Sequence, residues 1–344
     1  MHSELVSSLV NEQKYHVYPT LLQMYLPLAP PFDYCERAKS GFKKIITQGP
    51  CRKPGIKSFS HMQIGAFTVE QLSEGFFELF EDGTFQKMDP ERVRHAADDP
   101  SLGKFSSAIG IDPLFVDTKQ GKAKILIDPG LGWGLDHNSR FKDTSSVVTN
   151  LAIFNVKPEE ITHVILSHLH FDHAAGSTFV DDEFTTRATF PNASYLVHRE
   201  EWDYALSRFD QKKTVKGAGY KLDELWKLAA EKRIRFIEKE IHELLPGITL
   251  MKTGGHTPGH MVVKLESRGK FAYFMGDLIP TEYHLNHYGM KQIDMDPIQS
   301  KKARTILLRQ ALKEKAIIFF YHSLFKKTGQ LSLDDKKRYV LVDV

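Results

Sequence analysis

His168-Leu169-His170-Phe171-Asp172-His173 places three imidazoles and a carboxylate side by side. Each of those side chains is a ligand for transition-metal ions. An isolated His-x-His suits a metal-free loop equally well; the added carboxylate and third imidazole turn the pattern toward metal. The cluster follows Ile161-Thr162-His163-Val164-Ile165-Leu166-Ser167, a short apolar run with β-branched residues that reads as a buried strand. Alternate residues of an extended chain point to one side, so His168 and His170 can converge on one ion. Asp172 and His173 follow as the chain turns, within reach of a second ion beside the first. His163 lies on the strand out of phase with the cluster and reads as a packed or surface residue.

Two ions need more ligands than the cluster holds, and three further residues stand where strands end. His256 lies in Gly254-Gly255-His256-Thr257-Pro258-Gly259-His260, where flanking glycines let the backbone swing an imidazole into a crowded site. Asp277 follows the apolar run from Phe271 to Met275 and Gly276, so its carboxylate emerges at a strand terminus and could bridge two cations. His322 follows the apolar run from Ala316 to Tyr321 in the same manner. A single His or Asp after a strand is ordinarily a cap or a solvated loop residue. Their joint occurrence with the cluster gives them weight.

The elements that must position these residues are legible in outline. A strand is expected from Lys122 to Ile127, closed by Asp128-Pro129-Gly130, because Pro cannot continue a ladder and Gly permits a sharp turn. Residues 147–155 suggest a helix, broken at Pro158 before the His-rich strand. Residues 199–236 contain a long helical region, from Arg199 onward, interrupted near Gly217-Ala218-Gly219 and resumed from Leu222 to Arg233. Trp202, Tyr204, Leu206, Leu222, Leu225, Trp226 and Leu228 serve there as core or lid residues. Strands are expected from Ile248 to Lys252, Met261 to Glu266 and Phe271 to Met275, then a helix from about Ser300 to Lys315 and a strand from Ala316 to Tyr321. Mixed strands and helices with several hairpins favour an α/β or α+β sandwich over a doubly wound sheet.

Residues 1–58 have no clear period and carry several prolines among aromatics and basic residues. They read as an extension, a lid or an oligomer contact, attached to one domain over 59–344. The chain has 344 residues, 41% of them hydrophobic and 26% charged, as an ordinary globular protein has. A net charge of +3 from 46 basic and 43 acidic residues is too balanced to imply a nucleic-acid or membrane partner. Cys35 and Cys51 are the only cysteines, which argues against a disulfide framework and for a reducing compartment. No secretory signal and no run of eighteen apolar residues is visible, so a cytoplasmic protein is expected.

With these residues in hand, the chain resembles the metallo-β-lactamase superfamily, whose His-x-His-x-Asp-His signature matches His168 to His173. The family's later ligands match His256 in Gly-His-Thr-Pro-Gly-His, Asp277 in Met-Gly-Asp-Leu and His322 in Phe-Tyr-His-Ser. Within it the chain is most similar to the branch of N-acyl homoserine lactonases and methyl parathion hydrolase-like phosphotriesterases. Two positions differ: Pro280 stands where lactonases of that branch often carry Tyr, with Tyr283 displaced, and Ser323 follows the last ligand where many relatives are acidic.

The resemblance implies a four-layer αβ/βα sandwich with the site at one edge of two packed sheets. It implies one metal site of His168, His170 and His256, a second of Asp172, His173 and His322, and Asp277 bridging them. Imidazole and carboxylate ligands without thiolate suit two divalent ions, Zn²⁺ first, with Mn²⁺, Fe²⁺ or Co²⁺ possible. Such a centre cleaves an ester-like bond of a small molecule with a bridging hydroxide, Asp172 orienting it and shuttling its proton. Asp128 and His260 would fix ligand orientation, and Tyr283, His284 and His287 would contact substrate. A homodimer is compatible with the extension. An RNA-processing nuclease of the same fold would need a basic arm, of which only scattered residues such as Lys301, Lys302, Arg304, Lys326 and Lys327 are visible, and a mononuclear-iron dioxygenase would leave the second site empty.

Overall fold

Alternation of side chains is what builds the layers of this protein. The structure, a computed structural model, describes residues 61–80, 85–88, 106–119, 123–132, 146–181, 183–209, 220, 225–286, 291 and 293–344. The extension over 1–58, His287 and the interruption at 217–219 therefore lie outside the described residues. Two seven-stranded sheets carry the fold, and in each the strands lie side by side in chain order. The first comprises β1 (His61–Ile64), β2 (Phe67–Gln71), β3 (Leu114–Asp117), β4 (Lys124–Ile127), β5 (His163–Ile165), β6 (Ser194–His198) and β7 (Ile234–Ile237). The second comprises β8 (Ile241–Leu245), β9 (Ile248–Lys252), β10 (Met261–Ser267), β11 (Lys270–Phe274), β12 (Ile317–Phe319), β13 (Thr328–Leu333) and β14 (Tyr339–Val342).

Successive residues of a strand face opposite sides, and here both sides are covered. Ile125, Ile127, Ile165 and Leu196 of the first sheet meet Val263, Leu265, Ala272, Phe274 and Phe319 of the second in one central core. Their neighbours Leu126, Val164, Tyr195 and Val197 face outward onto α1 (Ser146–Ile153), α3 (Arg199–Phe209) and α4 (Trp226–Ala230), where Leu151, Trp202, Ala205 and Leu228 complete a second core. On the far side Val262, Tyr273, Ile318 and Phe320 pack against Ala303, Leu307 and Ala311 of α5 (Pro297–Lys313). Each fully buried side chain of this size contributes about 1.5–3 kcal/mol of transfer free energy. The result is the expected αβ/βα sandwich.

Two stretches differ from the sequence expectation. The helical reading holds for α3 and, within the expected Leu222 to Arg233, for the shorter α4, and Ile234–Ile237 just beyond it is a strand paired in parallel with β6. Helix α5 begins at Pro297, three residues before the expected start, because Asp296 caps it by accepting from the backbone N–H of Ile298 and Gln299. A three-stranded sheet (Gly75–Phe80, Phe85–Lys87, Ser106–Ile111) accompanies the two large ones, and the sequence did not reveal it.

Strand direction then decides where the chemistry lies. β4 and β5 are parallel, so Asp128 and the His-rich segment leave the first sheet at the same edge. β11 and β12 are parallel, so Asp277 and His322 leave the second sheet together. β10 runs antiparallel to β9 and β11, which returns the loop carrying His256 to that edge.

Candidate metal centre

Seven side chains from four segments converge at the shared edge, and all seven are at least nine-tenths buried. His168, His170, His256 and Asp277 form one group able to hold an ion, and Asp172, His173 and His322 form another. His168 Nε2 lies 3.0 Å from His170 Nδ1, which in turn lies 3.1 Å from His256 Nε2. Asp277 spans the groups: its Oδ2 is 3.2 Å from His256 Nε2, and its Oδ1 is 3.2 Å from His322 Nε2 and 3.3 Å from His173 Nε2. Asp172 Oδ2 lies 3.4 Å from His322 Nε2 and 3.6 Å from His173 Nε2.

Short helix α2 (Phe171–Ala174) lifts Asp172 and His173 off the strand direction set by His168 and His170. Glycine makes the other two turns. Gly255 has φ +85°, and a Cβ there would lie 2.5 Å from the Ser300 backbone nitrogen, so only glycine lets the loop of His256 close on α5. Gly276 has φ +49°, and a Cβ there would lie 2.8 Å from His260 Nε2, the atom that accepts the Asp277 N–H at 3.1 Å.

The ring nitrogens facing away from the centre are tied, which fixes what the inward ones offer. Ser167 Oγ donates to Asp128 Oδ2 at 2.6 Å, so its oxygen accepts from His168 Nδ1 at 3.0 Å. His173 Nδ1 donates to Asp128 Oδ2 at 2.8 Å, His256 Nδ1 to Asp294 Oδ1 at 3.2 Å, and His322 Nδ1 to the Gly110 carbonyl at 2.8 Å. Each of these four rings therefore turns an Nε2 lone pair inward, the arrangement that prepares imidazole to bind a metal.

For His168 and His170 the electrostatics agree with that role, while at His173 and His322 the surrounding carboxylates call for positive charge. Burial, reinforced by the neighbouring imidazoles, holds His168 and His170 well below the usual histidine range and so neutral. Burial opposes ionisation of Asp277, yet His322, His173 and His256 around it hold its carboxyl well below the usual range. Burial likewise opposes protonation of His173 and His322, but Asp172 and Asp277 beside the first and Asp277 beside the second raise both. Buried His173 Nε2, Asp277 Oδ1 and Asp172 Oδ1 make no hydrogen bond among the described residues. Facing lone pairs and buried unpaired acceptors need a cation between them. The residues present thus fit divalent metal.

The sequence of residues 113–322 matches the metallo-beta-lactamase superfamily. The chain belongs to the metallo-β-lactamase superfamily. An N-acyl homoserine lactonase of Bacillus cereus is 26% identical over 230 residues, 62% of this chain and 81% of the lactonase. The crystal structure of a probable metal-dependent hydrolase from Staphylococcus aureus, 26% identical, superposes with a TM-score of 0.62 over 82% of this chain and 99% of the other. AidC, a dizinc quorum-quenching lactonase in complex with its product, has the same fold at 21% identity, with a TM-score of 0.63 over 83% of this chain and 98% of AidC. This member of the superfamily is a metal-dependent hydrolase.

Of the expected substrate contacts, Tyr283 is 69% exposed on a 3₁₀ turn, Glu282–Asn286. His284 sits half-buried on the same turn with Nδ1 2.8 Å from Thr281 Oγ1, and joins neither ligand group. His260 is placed behind the ligands, its Nδ1 2.8 Å from Thr253 Oγ1. Several contributors escaped the sequence reading. Glu201 on α3 accepts from Leu169 N–H at 3.0 Å and Gly259 N–H at 3.1 Å, clamping the two imidazole-bearing loops together. Tyr220 donates to Glu201 at 3.3 Å and lays its ring 5.2 Å from that of His170. Tyr321 stacks on His173 with centroids 4.0 Å apart and donates to the Asp172 carbonyl at 2.6 Å. An acidic residue in a first helical turn normally reads as a complement to the helix dipole, so nothing in the sequence marked Glu201.

Proposed function

We propose that this superfamily member hydrolyses an ester-like bond of a small molecule, a lactone, aryl ester or phosphotriester, at a centre of two divalent ions, zinc first. The observation that carries this reading is Asp277, whose two oxygens face different groups of imidazoles at 3.2 and 3.3 Å. In the assignment that follows, His168, His170 and His256 hold one ion, Asp172, His173 and His322 hold the other, and Asp277 joins them. Bound ions of this kind supply Lewis acidity and a water acidic enough to ionise near neutral pH.

The chain's own residues then do the rest. Asp172 Oδ1, buried and without a hydrogen bond among the described residues, is the base that takes a proton from the attacking water and returns it to the leaving oxygen. Tyr321 holds the main chain of Asp172 so that this carboxylate keeps its aim. Burial of His168, His173 and His256 keeps bulk water from competing for them. Lactonase activity of the relatives in sequence supports the ester-like class.

The test is a hydrolysis screen over lactones, aryl esters, phosphotriesters, β-lactams and thioesters, run on protein with measured metal content. Turnover of at least one of the first three classes, with close to two ions per chain, is expected. Trace metal in protein made in metal-replete medium would sink the reading.

A further inference from the structure

Lys291 is buried and its ammonium has three acceptors, as many as it has protons: the carbonyls of Asp277 and of Leu278, the latter at 3.2 Å, and Asp294 Oδ1 at 3.0 Å. Asp294 is the residue whose Oδ1 accepts from His256 Nδ1 at 3.2 Å. The segment that carries both is laid along the His256 loop by main-chain bonds, Met295 N–H to the His256 carbonyl at 3.2 Å and Asp296 N–H to the Gly255 carbonyl at 2.8 Å. One buried cation therefore touches the peptide of Asp277 and the carboxylate that orients His256, two side chains whose ligand atoms lie 3.2 Å apart.

We propose that Lys291 is a positioning residue, a strut that sets Asp277 against His256 through the Asp277 carbonyl and Asp294. The inference rests on the dinuclear reading above and names what holds the first metal group in shape. A buried ammonium is costly to desolvate, and an apolar side chain of similar length would fill the space without that cost. Its presence is explained by what it holds. Asp294 Oδ1 is met on one side by His256 Nδ1 at 3.2 Å and on the other by the Lys291 ammonium at 3.0 Å, so the carboxylate is held where it accepts from Nδ1 and Nε2 is left facing the centre. Without Lys291, the Asp277 main chain loses its anchor and Asp294 is left as a buried anion beside the ring it should orient.

The test is stepwise zinc affinity of the full chain, measured by competition with a chromophoric chelator, for wild type, Lys291→Met, Asp294→Asn and the double variant. Lys291→Met should weaken one of the two zinc steps by about 10- to 100-fold. Asp294→Asn should weaken the same step, and the double variant should lose no more than the worse single one. Turnover of Lys291→Met should recover in excess zinc, which a purely structural defect would not do. Should Lys291→Met not fold, Lys291→Gln carries the test, since it keeps a donor for the carbonyls and removes the charge facing Asp294. Folded variants that bind both zinc ions as wild type does, or effects that multiply in the double variant, overturn the strut alone. A wild-type chain that takes up no zinc overturns the dinuclear reading, and this inference with it.

Discussion

Asp128 Oδ2 accepts from His173 Nδ1 at 2.8 Å, although the two residues lie 45 positions apart and both are fully buried. The same oxygen accepts from Ser167 Oγ, which accepts from His168 Nδ1. One carboxylate thereby orients an imidazole in each of the two ligand groups. Asp128 has φ +51°, a left-handed backbone that Asp tolerates better than most side chains, and its Oδ1 also accepts from Ser167 N–H at 2.7 Å.

This relay makes Ser167 testable. Ser167→Ala removes the hydroxyl that holds His168 Nδ1 and leaves a buried ring donor without an acceptor. Metal affinity should fall about 10- to 100-fold, with hydrolysis recovering in excess zinc. Unchanged affinity by competition titration would show that His168 needs no such support.

His170→Ala and Asp277→Ala should each abolish hydrolysis, and they should differ in metal content. His170 serves only the first group, whereas Asp277 faces both, so Asp277→Ala should lose more metal in elemental analysis. His163→Ala should keep activity, because His163 is half-buried at the start of β5 with Nδ1 2.8 Å from Thr162 Oγ1 and joins neither ligand group. Equal loss in all three variants, with circular dichroism intact, would mean the ligand assignment is wrong.

The side chains that converge here were legible because their types are rare together and because each stands where an apolar run stops. Strand length and apolar content likewise marked β9, β10 and β11 within a residue of their observed ends. What stayed hidden depends on contacts between distant segments. Glu201 reaches Leu169 across 32 residues and Gly259 across 58, and Asp294 reaches His256 across 38. The strand Ile234–Ile237, just past the expected helix end at Arg233, went unassigned because it is short and its pairing with the distant β6 decides it. Asp296-Pro297 was a cap signal in plain view, and it fixes the start of α5.

Glu74 makes a pH prediction. Its carboxyl is buried with Oε2 2.6 Å from Leu131 N–H, and burial pushes its pKa up from 4.5 to about 8, against the pull of that backbone bond. A raised folded-state value means the folded chain holds this proton more tightly than the unfolded one. The stabilisation is complete below about 4.5 and is lost as pH rises through about 8. Glu74→Gln, which cannot ionise, should therefore gain on wild type between pH 5 and pH 9, by on the order of a few kcal/mol at most. Parallel stability curves for the two proteins over that range would refute it.

Removing metal should cost both activity and stability, for one physical reason. Without a cation the inward Nε2 lone pairs of His168 and His256 both face His170 Nδ1, at 3.0 and 3.1 Å, and the unpaired oxygens of Asp172 and Asp277 stay buried. Those groups are held in place by Ser167, Asp128, Asp294 and the Gly110 carbonyl, so they cannot relax apart without breaking the bonds behind them. Ions that bind only the folded chain stabilise it by mass action, about 2.7 kcal/mol for each site at a free concentration 100 times its dissociation constant. Dialysis against a chelator should thus lower Tm by several degrees and abolish hydrolysis, and stoichiometric zinc should restore both together. Recovery of Tm at one equivalent with activity returning only at the second would show that one ion organises the fold and the pair performs the chemistry. A Tm that ignores chelation would mean that the hydrogen bonds behind the ligands already satisfy the site, contrary to the unpaired atoms seen there.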